Sequence, residues 1–301
     1  MRRATALVVA AGLLAVALTG CSSNPNADCG DALKAGPASD LISATGKLGE
    51  KPTFDLPTPI DTTTSQRTIV SEGTGEQVHK GQLLEVQYTI LDGENGEVQQ
   101  QSSYKAGDTF PLAVGGGNAA LSKGLQCVPV GSRVAIVLSP KDAGGSGAST
   151  SGIIVIDVLK AYLPAANGAV RPSANGFPTV VLAPTGQPGV TIPSQSGAPK
   201  EVRSEVLKAG SGATVKKDSE VVLHYTAVGW DQKNVVTSTW QQGTPDIVTI
   251  DTGASQLNQA LPQEILKPLV GEKVGSQVVI EAPENGNVPA AAWVVDILGV
   301  R

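Results

Sequence analysis

One pattern is written twice in this chain, and that repetition limits what it can fold into more than any other feature. The run QYTILDGENGEVQQQSSY begins at Gln87 and HYTAVGWDQKNVVTSTW begins at His224, so the two Tyr-Thr pairs lie 137 positions apart (225 − 88). Each copy reads as a strand entering a polar turn and returning as a second strand, the pattern of a hairpin. Leu84, Val86, Tyr88 and Ile90 alternate with Glu85, Gln87 and Thr89, and Val221, Leu223 and Tyr225 repeat that alternation. A period of two puts both tyrosines on the buried face of a one-sided strand. His224 and its counterpart Gln87 fall on the opposite face, which is expected to meet solvent.

Further signals keep the same order in both copies. A helix-compatible stretch runs from Ala119 to Gln126 in the first and from Ser255 to Leu266 in the second, where Pro262 limits it to broken turns. Val130-Gly131-Ser132 and Val274-Gly275-Ser276 precede the strands RVAIVLSP and QVVIEAP, and both copies close on an apolar strand with one embedded acid, IIVIDVL and WVVDIL. The spacing far exceeds a solenoid repeat. It describes a duplicated domain, and 301 residues suffice for about two domains of ordinary size, at roughly 100–200 residues each.

The expected organisation is a signal peptide at 1–20, a small and polar tether at 21–51, a first domain at 52–162 with a lead-in strand at PTFDLPTP, a Pro/Gly-rich linker at 163–199 with an echo of that strand, and a second domain at 200–301. Arg2 and Arg3 lead into an apolar run that ends at Leu18-Thr19-Gly20-Cys21, which resembles a bacterial lipoprotein signal. That resemblance implies lipidation of Cys21, and therefore a cell-membrane, extracytoplasmic, lipid-anchored protein. Cys29 and Cys127 then remain in a compartment where disulfides persist. They either pair, closing a long loop, or stay as two buried thiols.

The net charge of −5 without a Lys/Arg cluster argues against a nucleic-acid partner. His79 and His224 stand apart from any Cys or carboxylate at ligand spacing, so no metal is expected. The glycine runs at 115–117 and 144–147 lack the partners of a phosphate loop, and no cofactor is expected.

The ordered motifs resemble the FKBP-type peptidyl-prolyl isomerase family. They are Gly73-Thr74-Gly75 and Gly210-Ser211-Gly212, Lys80-Gly81, Tyr88-Thr89 and Tyr225-Thr226, the following hairpins, and the two Val-Gly-Ser turns. The resemblance implies an α+β fold of two FKBP-like domains, each a bent antiparallel sheet wrapped on one short helix. It also implies an apolar pocket for proline, with candidates Tyr88, Gln101, Phe110 and Leu121 in the first unit. Tyr225, Thr237, Trp240, Val248 and Ile265 are the candidates in the second. Neither unit has the family's hairpin acid or its indole floor, so the implied activity is weak at most, on proline-containing exported polypeptides. The alternative on the same fold is a non-catalytic polypeptide-binding chaperone or assembly module.

Overall fold

Both Tyr-Thr strands are paired on both sides within an antiparallel sheet in the computed structural model, which describes residues 27–144, 150–193, 197–256, 260–286 and 288–301. The expected signal peptide at 1–20 and Cys21 lie outside these residues. In chain order the first part contains β1 (Ser43–Thr45), β2 (Thr53–Asp55), β3 (Gln66–Ser71), β4 (Leu83–Asp92), β5 (Val98–Gln101) and β6 (Phe110–Ala113). It continues with α1 (Ala119–Leu125), β7 (Arg133–Leu138), α2 (Pro140–Gly144) and β8 (Gly152–Ala161). Strands β3–β7–β8–β4–β5 form one sheet, with β6 also paired to β4.

The second part contains β9 (Ala169–Val170), β10 (Thr179–Leu182), β11 (Pro188–Thr191), β12 (Arg203–Ala209), β13 (Glu220–Gly229), β14 (Val235–Ser238) and α3 (Thr239–Gln242). After these come β15 (Asp246–Thr249), α4 (Gln263–Leu266), β16 (Gln277–Ala282) and β17 (Ala291–Val300). Its sheet runs β14–β13–β17–β16–β12–β9 with β15 on β13, so β12 to β17 repeat the pairing of β3 to β8. The chain is mostly antiparallel sheet with few helices. Of the helix expected over 255–266, in which 257–259 lie outside the described residues, the described part contains α4 and a following single turn, and Pro262 has no N–H to continue a helix backwards.

Each sheet has two faces to cover. In the first, one face holds Val86, Ile136 and Ile156 against Leu125 of α1, whose first turn is capped by the Asn118 side chain accepting from the Leu121 N–H at 3.0 Å. The other face packs Val137, Ile153 and Val155 against Ile42, Ala44 and Ile60. The stretch expected to be a loose tether therefore contributes strand β1, paired with β2, and part of a core. Its alternation was too short to register as a strand. In the second sheet the β10–β11 hairpin takes the same role, with Val180 and Val190 on Leu207, Val279 and Val294.

The Gly-x-Gly and Val-Gly-Ser motifs meet each other in both sheets. Ser132 Oγ accepts from the Gly73 N–H at 2.8 Å, and Ser276 Oγ accepts from the Gly210 N–H at 2.9 Å. A Cβ on Gly73 would lie 2.3 Å from the Val130 carbonyl oxygen, and one on Gly210 would lie 2.3 Å from that of Val274. These glycines are there because backbone packs on backbone. The second cysteine follows α1, and Cys29–Cys127 is a disulfide with its Cα atoms 5.8 Å apart across 98 residues of chain. Closing a loop of that length restricts the unfolded chain by about 4–5 kcal/mol in the chain-entropy model.

The embedded acids of the closing strands occupy equivalent registers with unequal partners. Arg133 opposes Asp157, and the two form a buried bidentate pair at 2.6 and 2.7 Å. The remaining guanidinium protons reach the carbonyls of Ala44, Gly46, Lys47 and Glu50, while Gly49 N–H donates to Asp157 at 2.7 Å. In the second sheet Gln277 opposes Asp296 and donates to it at 2.7 Å, and Ala166 N–H donates to it at 2.9 Å. Without a directly paired cation, burial pushes the Asp296 carboxyl up to about 6, only partly offset by these hydrogen bonds and by Lys208.

Arg133→Ala leaves the buried Asp157 carboxylate without its cation and removes the guanidinium bonds to four carbonyls, so urea unfolding is expected to show a loss of roughly 3–5 kcal/mol. A loss below about 1 kcal/mol would mean that residues 44–50 do not depend on this pair. For Asp296 the fold favours the protonated form. The associated stability is complete below the ordinary value of 3.8 and is lost as pH rises through about 6. Asp296→Asn is accordingly expected to stabilise the protein above that range by about 2–3 kcal/mol and to flatten its pH dependence between 4 and 7. An unchanged slope in urea titrations across that range would assign the dependence to another group.

Candidate functional site

Tyr88 lies mid-strand on β4, on the face that carries α1, and is half-buried. Its ring meets Phe110 edge-on, with centroids 5.1 Å apart and planes at 70°. Phe110 sits on β6 opposite Val86, which gives it the same face as Tyr88, and it is 44% exposed. Tyr88 and Leu121, from α1, both pack on the rim of the same apolar core. The Tyr88 hydroxyl accepts from Gln100 Nε2 at 2.7 Å, and Ser102 holds the strand beside it through the Tyr88 N–H and carbonyl. Gln101, the sequence candidate, opposes Thr89 and so belongs to the other face. Tyr88 and Phe110 thus form a half-open aromatic mouth, and Leu121 packs on the same core as Tyr88. Residues 145–149, where the family's loop tyrosine is looked for, lie outside the described ones.

The second sheet places its candidates differently. Tyr225, Val248 and Ile265 are fully buried members of one core. The Tyr225 hydroxyl donates to the buried Asp246 carboxylate at 3.2 Å, and burial first, then that carboxylate, pushes the phenol well above the usual tyrosine range. Trp293 lies 5.8 Å from the Tyr225 ring and is nearly buried. It opposes Ala227 on β17, the position that Ile154 takes opposite Ile90 in the first sheet. The indole therefore fills the space that remains open beside Tyr88. Thr237 opposes Ala227 on β14.

Trp240 is not beside Tyr225. It stacks on His224 at 4.0 Å with planes 21° apart, and consecutive residues of a strand face opposite ways. His224 is buried, not solvent-facing as its alternation suggested, because the first part of the chain lies against that face. Its Nε2 donates to the Gly81 carbonyl at 3.3 Å, since a carbonyl can only accept, and its Nδ1 then accepts from Thr239 Oγ1 at 2.8 Å. Burial holds this neutral imidazole down at about 4. His224, Trp240, Gly115, Lys80, Lys123 and Pro164 line a cleft of about 620 Å³ between the sheets. Arg301 also joins the two parts by donating to Glu85 at 2.8 Å, and Tyr162 donates to the same carboxylate at 2.8 Å from within the first part. Contacts between separate repeats leave no mark in the period of either repeat. Among the described residues no His/Cys/Asp/Glu group could hold a metal ion.

Neither a protein-family model nor a curated protein matches the sequence. The fold is similar to the three FKBP domains of wheat FKBP73, with a TM-score of 0.33 and 14% identity over 79% of this chain and 94% of that one. A peptidyl-prolyl cis-trans isomerase of Pseudomonas syringae pv. tomato gives 0.29 and 20%, over 32% of this chain and 74% of its own. FkpA of Escherichia coli gives 0.28 and 17%, over 32% of this chain and 47% of its own, so the match spans about half of that protein.

The open and filled mouths differ in reagent access. Tetranitromethane is expected to nitrate Tyr88 and spare Tyr225, read by peptide mass spectrometry. Trp293→Ile should make Tyr225 reactive, at a stability cost below the roughly 3–5 kcal/mol of truncating a tryptophan to alanine. Equal protection of both tyrosines in the unaltered protein would contradict the contrast.

Proposed function

We propose that the protein is an FKBP-like polypeptide-binding protein with weak peptidyl-prolyl isomerase activity at most, and that the Tyr88–Phe110 mouth is its working site. The observation that carries this reading is the pair of aromatic rings left half-open at the rim of an apolar core, with no charge, nucleophile or metal ligand among them. Rotation about a prolyl bond needs none of these. The barrier to peptide rotation is about 18–20 kcal/mol because the nitrogen is conjugated with the carbonyl. A dry, aromatic surface that fits the twisted amide better than either planar form lowers it. In this site Phe110 and Leu121 would enclose the proline ring, and Tyr88, held by Gln100, would set its rim.

The clients are proposed to be proline-containing exported polypeptides, with the protein anchored outside the cytoplasm by lipid on Cys21. The Cys29–Cys127 disulfide supports an oxidising compartment. The lipid anchor is inferred from the N-terminal sequence. The two FKBP-like units are proposed as 52–162 and 200–301, joined by the linker at 163–199. A non-catalytic holding role is the second reading. It is favoured by the filled state of the second mouth and by the pair Gln100-Gln101 at the hairpin where the family has an acid.

A proline-limited refolding assay tests the first reading. The protein is expected to accelerate the slow phase, and Tyr88→Ala and Phe110→Ala should each cut that acceleration about tenfold, near 1.4 kcal/mol of barrier. Tyr225→Phe should leave it intact. No acceleration together with retained binding of an unfolded chain would select the holding role. Acceleration that survives both first-sheet variants would remove the site from Tyr88.

A further inference from the structure

The described sheet edges are treated unequally. Along β3 the segment 34–39 lies against the free side, with Arg67 N–H donating to the Lys34 carbonyl and Gln66 accepting from Ala38 N–H, both at 3.0 Å. β12 is closed by β9. β5 has no such cover. It ends the order β3–β7–β8–β4–β5, all four of its residues are exposed, and Val98 is among the exposed large apolar side chains. From Val98 to Ser103 the sequence is Val-Gln-Gln-Gln-Ser-Ser, without the lysine, proline or inward charge that normally guards an edge. Ser102 N–H donates to the Tyr88 carbonyl, so by antiparallel alternation the N–H and carbonyl of Gln101 face away from β4. The same strand supplies Gln100 to the Tyr88 hydroxyl.

We infer that the outer edge of β5 is a strand-addition site, where an extended polypeptide pairs its main chain with β5 and so delivers a residue to the Tyr88–Phe110 mouth. This deepens the reading above and rests on it. Main-chain pairing supplies affinity without regard to sequence, and pockets beside the added strand supply selection. The uncharged edge imposes no charge on the client. Its continuity with the open mouth singles out a client chain as the occupant. β14 is the equivalent edge of the second sheet and carries exposed Val235 and Val236, yet the aromatic position beside it is filled by core.

The probe is a fluorescent, uncharged peptide of Ala, Thr and Val with one Leu-Pro bond, used beside the same peptide N-methylated at the alternate residues that would pair with β5. Amide exchange of β5 is followed in the unaltered protein and in Tyr88→Ala. The parent peptide is expected to slow exchange at Gln101, and the methylated one to bind about tenfold more weakly, as for two lost main-chain bonds. Tyr88→Ala should weaken binding but keep Gln101 protection at saturation. Equal binding of the methylated peptide, or binding without protection of β5, overturns the inference and leaves the mouth as the site if refolding is still accelerated. Protection that grows with protein concentration in the absence of peptide also overturns it, because a second copy then occupies the edge. Absence of both binding and acceleration removes this inference and the functional reading together.

Discussion

The register between the central strand and the closing strand decides everything built around each sheet. β4 pairs with β8 from Leu84 to Asp92, and β13 pairs with β17 from Val221 to Gly229. A slip by one residue would move every side chain to the opposite face. Tyr88 would then leave the helix-covered core, and His224 would exchange places with Tyr225. The bulges at Glu85/Val86 and Val222/Leu223 fall at matching places in the two pairs, so the same irregularity fixes the register twice.

That common frame separates what duplication preserved from what it released. The Gly-x-Gly and Val-Gly-Ser contacts are preserved in detail, because a side chain at Gly73 or Gly210 would collide with backbone, which cannot move aside cheaply. The buried acid is preserved but its partner is not. Asp157 has an arginine that binds the incoming segment over the outer face, whereas Asp296 has a neutral glutamine and one linker N–H. A guanidinium can satisfy a carboxylate and several carbonyls at once, and an amide cannot. The first sheet consequently ties down its lead-in segment by charge. The second holds its own β10–β11 hairpin largely by apolar contact.

Much of the fold was legible in the sequence because its signals are local. Alternation named the Tyr-Thr strands and their inward tyrosines, the helix-compatible stretch from Ala119 to Gln126 marked α1, and Pro262 shortened α4. The disulfide followed from cysteine number and compartment, with the unpaired alternative open until the geometry closed it. Strand β1 was missed, since three residues give too little alternation to see. His224 was placed on the correct face and given the wrong surroundings, because periodicity reports which way a side chain points and says nothing of what lies there. Gln101 failed for a related reason: aligning hairpins by motif order cannot resolve a shift of one residue, and one residue changes the face.

The contrast between the two mouths comes from linked exchanges: Ile90 faces Ile154 in the first sheet where Ala227 faces Trp293 in the second, and Phe110 opposes Val86 where Asp246 opposes Leu223. Ile154 and Trp293 take corresponding positions on the closing strands, and the larger ring occupies space beside its tyrosine. Once that space is filled, Tyr225 loses contact with solvent and its hydroxyl needs an internal acceptor, which Asp246 provides. The acid must in turn be satisfied, and Ser255 and the Ile247 N–H do so. Closing the second mouth thus required a polar network that the first has no use for. In the first sheet the smaller isoleucine leaves Tyr88 at the surface, where Gln100 alone completes its hydroxyl and Phe110 covers only one side. An aromatic rim whose counterpart is buried in the second sheet is instead held open beside an unguarded strand.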